Sequence, residues 1–91
     1  MTRTRIRKSL DEKILLYEIT VYCATMANFW HDKKDKMYVE SKHGIYAIIG
    51  MMVYYMGKNE AELLNYARNE LNKYVLTDGN SVDYSIICNE I

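Results

Sequence analysis

The chain has 91 residues, 49% of them hydrophobic and 26% charged, and its 12 basic and 12 acidic side chains cancel. That balance describes one small globular domain, too apolar for disorder and too short for a two-domain enzyme or for a core that also encloses a cofactor. Two cysteines are too few for a disulfide scaffold, no secretory leader pattern opens the chain, and the longest uncharged run, Gly44 to Gly57, falls short of the about 20 residues of a membrane span, so a reducing, cytoplasmic setting without membrane contact is expected.

Charge is unevenly spread. Residues 1–8 carry Arg3, Arg5, Arg7 and Lys8 with no acid, which leaves eight basic against twelve acidic side chains in residues 9–91. The organisation is therefore a basic N-terminal arm, 1–8, on a single compact helical domain, 9–91. In the arm Thr2, Thr4 and Ile6 alternate with the arginines, as in a short strand that pairs with the other terminus or with a second copy. Ser9 and Glu12 then have the spacing of a capping box, so a helix is expected from near Leu10 to about Trp30. At 100° per residue Leu10, Ile14, Tyr17, Val21 and Ala24 fall on one side of it and Leu15, Ile19, Tyr22, Met26 and Phe29 nearly opposite. Such a helix is sandwiched between two partners, both from this chain or one from another subunit.

The mixed charges of His31 to Lys36 read as a solvated loop, and a second helix follows from Ser41 or Lys42. Ile45, Ile48, Ile49, Met52 and Met56 form its apolar face, Met51 is placed in the core as well, and Gly57 stands where a left-handed terminus belongs. Ala47, Gly50 and Tyr54 on its far side admit a close neighbour, so this helix is expected to be buried on most sides. Asn59 is the N-cap of a third helix with Leu63, Leu64, Ala67, Leu71, Tyr74 and Val75 inward and Glu62, Asn65, Asn69 and Lys73 in water. Thr77 to Asn80 is a turn. Residues 82–91 fit a strand by alternation and a helix by the spacing of Tyr84, Ile87, Cys88 and Ile91. The absence of proline and the scarcity of glycine make the fold all-α, or mainly α: a small three-helix domain with a short extended or helical C-terminal segment.

No constellation of catalytic type emerges. Cys23, His31, His43 and Cys88 lack the spacing of a metal site, and the acid pairs Asp11/Glu12 and Glu60/Glu62 sit in first helical turns where the helix dipole accounts for them. The glycines form no phosphate loop. Neither enzyme activity, metal nor cofactor is expected. What stands out is tyrosine, nine of the aromatic residues, whose ring and hydroxyl suit recognition surfaces.

Two functional readings follow. The alternating basic segment Thr2 to Lys8 and the capped helix behind it resemble, over about half the chain, the start of a ribbon-helix-helix DNA-binding regulator. That resemblance implies paired strands in the major groove, Arg3, Arg5 and Arg7, beside Lys8, on bases or phosphates, and Ser41 at the phosphate-facing start of the second helix. The other reading, to which tyrosines and apolar excess along the whole chain point, is a non-catalytic protein-binding module. In style the composition, rich in Asn, Lys, Tyr and Ile, resembles accessory proteins of phages and mobile elements, anti-CRISPR inhibitors among them. The resemblance implies a host defence nuclease as partner and action by surface occupation, with homodimerisation an option. On this reading Glu60, Glu62, Tyr66, Glu70 and Asp83 of the acidic half contact the partner, the carboxylates among them competing with the phosphates of its nucleic-acid groove.

Overall fold

The computed structural model describes residues 2–79 and 83–91, with side chains from Asp11 onward. Four helices make up the fold: α1 (Thr2–Asn28), α2 (Lys36–Met56), α3 (Glu60–Thr77) and α4 (Tyr84–Glu90), with no strand among the described residues. The all-α expectation holds. Of the two C-terminal readings the helical one is found, although Asn80 of the turn and Val82 at the start of that segment lie outside the described residues.

Helix boundaries correct three local expectations. α1 begins at Thr2, so the Thr/Arg alternation is helical and not extended, and Ser9 with Glu12 lies inside the helix instead of starting it. Arginine and lysine are good helix formers and nothing between Thr2 and Leu10 breaks a helix, whereas an alternation of polar residues has no buried face to hold a strand. At its other end α1 stops at Asn28; the N–H groups of Phe29 and Trp30 bond back to Met26 and Ala27 carbonyls, tightening the last turn. α2 starts at Lys36, well before Ser41, because Asp35 in extended conformation accepts from the Met37 N–H at 2.8 Å. The added turn buries Tyr38 against Trp30, ring centroids 6.4 Å apart.

Two expected signals are found in place. Gly57 ends α2 at φ 65° with the Lys58 N–H returned to the Met52 carbonyl, and the Asn59 side chain accepts from Glu62 N–H at 3.1 Å to open α3.

The short 29–35 connection makes α1 and α2 antiparallel, so that Glu12 in the N-terminal half of α1 meets Lys58 just past α2 at 2.9 Å. Midway, Gly44 lets the Tyr22 ring approach so closely that a Cβ there would lie 2.8 Å from it. α3 runs parallel to α1, with Thr20 against Tyr66 and Cys23 against Ala67. The core is common to all four helices: Ile19, Cys23 and Met26; Ile45, Ile49 and Met52; Leu63, Leu71 and Val75; Ile87.

α4 is fastened by polar contacts around Ile87. The Tyr46 hydroxyl and the Arg68 guanidinium donate to the Ile91 carbonyl at 2.9 and 3.2 Å, the Tyr38 hydroxyl donates to Glu90, and Tyr84 donates to Asn69 at 3.2 Å.

Candidate protein-binding face

α1 is apolar on two sides, and the rest of the chain covers one of them. Ile19 and Met26 are fully buried and Leu15, Tyr22 and Phe29 pack on the core. The other stripe faces outward: Ile14, Tyr17 and Val21 are 55, 68 and 43% exposed. α2 departs from expectation in the same way. Ala47, Gly50 and Tyr54 are exposed, as is Met51, which was expected in the core. No element of the described chain packs on that side, because α1 and α3 already satisfy the face built from Ile45, Ile48, Ile49 and Met52.

The two outward surfaces meet in a groove of about 310 Å³ lined by Asp11, Ile14, Leu15, Met51, Tyr55 and Met56. Tyr54 and Tyr55, 80 and 73% exposed, stand next to each other with rings edge to face at 4.8 Å. This is a tyrosine-rich apolar surface with one carboxylate, Asp11, in its groove. Scattered exposed apolar residues are ordinary on a small protein; a continuous set across two helices is not.

The residues expected to contact a partner are placed elsewhere. Tyr66 and Glu70 are brought together inside the α1–α3 seam, where Tyr66 shares a 2.7 Å hydrogen bond with Thr20, and Thr20 donates to Glu70 at 3.0 Å. Glu60 and Glu62 stand exposed in the first turn of α3, and Asp83 caps α4 by accepting from Ser85 N–H at 3.0 Å. For Arg3, Arg5, Arg7 and Lys8 the structure gives a helical backbone, and their side chains lie outside the described residues. Ser41 is buried inside α2 rather than at its start.

Among the described residues no three ligand-type side chains converge on a metal position. The perturbed groups are packing groups. Burial, with the Glu70 charge added and the Leu71 backbone opposing, pushes the Cys23 thiol up to about 12, and its Sγ donates to the Ala67 carbonyl at 3.3 Å. Burial also raises the Tyr38 and Tyr66 phenols, reinforced by Glu90 and Glu70 respectively, while the Thr20 hydroxyl lowers Tyr66. None of the three lines the groove.

The class defined is a small all-α domain, a three-helix bundle closed by a fourth short helix. Compared with protein families, with curated proteins and with solved structures, the chain matches none.

Proposed function

We propose that this chain is a non-catalytic protein-binding module that acts by covering a surface on a larger partner, with the α2 tyrosines and the adjoining groove as its working surface. The observation that carries the reading is the pair Tyr54 and Tyr55 beside Met51: large rigid side chains held in water by a helix whose other face is in the core. Exposed aromatic groups of this kind supply most of the energy of a protein interface when a partner desolvates them. The acidic balance of residues 9–91 supports a partner that ordinarily holds nucleic acid, and inhibition by covering the partner's nucleic-acid groove is the activity we propose.

Affinity capture from the source cells after nuclease treatment tests this. One large protein recovered with the wild-type chain, and lost with Tyr54→Ser/Tyr55→Ser at unchanged melting temperature, is the expected result. Retention by the tyrosine variant together with loss on Glu60→Gln/Glu62→Gln would move the surface to the acids of α3. Recovery of DNA alone, abolished by nuclease, would overturn the reading in favour of the basic arm.

A further inference from the structure

We propose that two copies of this chain pair through α1, parallel and in register, with Ile14, Tyr17, Val21 and Ala24 as the seam and Lys13 of each copy against Glu18 of the other. The proposal rests on α1; it shares Ile14 with the groove beside Tyr55 but uses none of the α2 tyrosines, and Tyr17, Val21 and Ala24 lie outside that groove.

The outward stripe of α1 advances by three and four residues in turn, from the exposed Ile14, Tyr17 and Val21 through the half-buried Ala24 to the exposed Asn28, and the sequence continues it back to Leu10. That is a heptad with Ile14, Val21 and Asn28 at a and Leu10, Tyr17 and Ala24 at d, the repeat on which two helices wrap around each other. The residue types agree with the positions. β-branched residues at a favour two parallel strands, and a single Asn at an a position fixes register by pairing with its own copy. α2 and α3 pack on α1 mainly through Tyr22 and Leu15 and through Leu16, Thr20 and Cys23; Ile14 borders the α2 groove, and the stripe stays exposed at Ile14, Tyr17 and Val21.

From Asp11 onward, charge selects the direction, against the repulsion between the two basic arms. Lys13 occupies a g position and Glu18 the e position five residues on, the two that meet between parallel helices, and the symmetry of the pair makes this contact twice. Both side chains are exposed, and neither joins an ion pair among the described residues. An antiparallel seam would instead bring e against e, setting the Asp11 and Glu18 carboxylates of one copy against those of the other.

Light scattering of the full chain over a range of concentrations gives the mass, and a dimer at high concentration is expected. Tyr17→Glu, a change at an exposed site, should give a monomer with unchanged helicity. Lys13→Glu and Glu18→Lys should each weaken association about tenfold, and the two together should restore it. In a Cys88→Ser background, Ile14→Cys should oxidise to a covalent dimer, since a positions face their own copies only in a parallel seam. A monomer at every concentration, a dimer indifferent to Tyr17→Glu, or a dimer that fails to cross-link through Ile14→Cys would overturn the proposal.

Discussion

Cys23 shows how one side chain ties stability to pH. Its thiol is enclosed by α1 and α3 and held to the Ala67 carbonyl, so the native state keeps a proton that the unfolded chain releases near pH 9.0. Between that pH and about 12 the native state binds more protons than the unfolded one, and stability falls as pH rises through the window. Below pH 9.0 the contribution is complete. The raised Tyr38 and Tyr66 phenols act with the same sign at higher pH. Melting temperatures followed by circular dichroism should therefore be insensitive to this thiol from neutrality to about pH 9 and decline above it, and Cys23→Ala should flatten the first part of the decline. A melting temperature constant to pH 11 would contradict the enclosure of the thiol.

Elements were legible in proportion to how local their signals are. Asn59 and Gly57 act on backbone groups within a turn of themselves, so α3 began and α2 ended where expected. Asp35 acts in the same way but is embedded among Lys33, Lys34 and Lys36, and a run of mixed charge reads as loop; only the burial of Tyr38, a tertiary event, reveals the extra turn. Removing that cap by Asp35→Ala should cost about 1 kcal/mol in urea unfolding, with the loss of helix confined to the start of α2. The two stripes of α1 were equally plain as a pattern, yet no local rule says which stripe the chain itself will cover. That depends on where α2 and α3 come to lie, which is why Ile14 and Tyr17 emerge as surface only in the folded molecule. The candidate acids had the converse difficulty: spacing placed Tyr66 and Glu70 on α3, while their hydrogen bonds to Thr20 depend on a helix some fifty residues away.

For the molecule as a whole, truncation should cost stability at the covered apolar residues and leave it unchanged at the uncovered ones. Leu71 is fully buried at the centre of the bundle, and Leu71→Ala should remove about 3 kcal/mol by loss of transfer energy and the cavity left behind. Tyr54→Ser, at an exposed site, should leave the same unfolding curve within about 0.5 kcal/mol. A parallel pair would also set two arms of four positive charges side by side, a larger repulsion than the two exposed Lys13–Glu18 attractions offset, so raising salt should strengthen association, whereas an interface governed by those attractions would weaken. Sedimentation at low and high ionic strength distinguishes the two. Finally, the two thiols differ as far as two thiols can: Cys88 is open to solvent and Cys23 has no accessible surface. An alkylating reagent at near-neutral pH will mark Cys88 at once and Cys23 only in molecules that have momentarily opened, so the lag between a first and a second mass increment is a built-in clock for the breathing of the bundle.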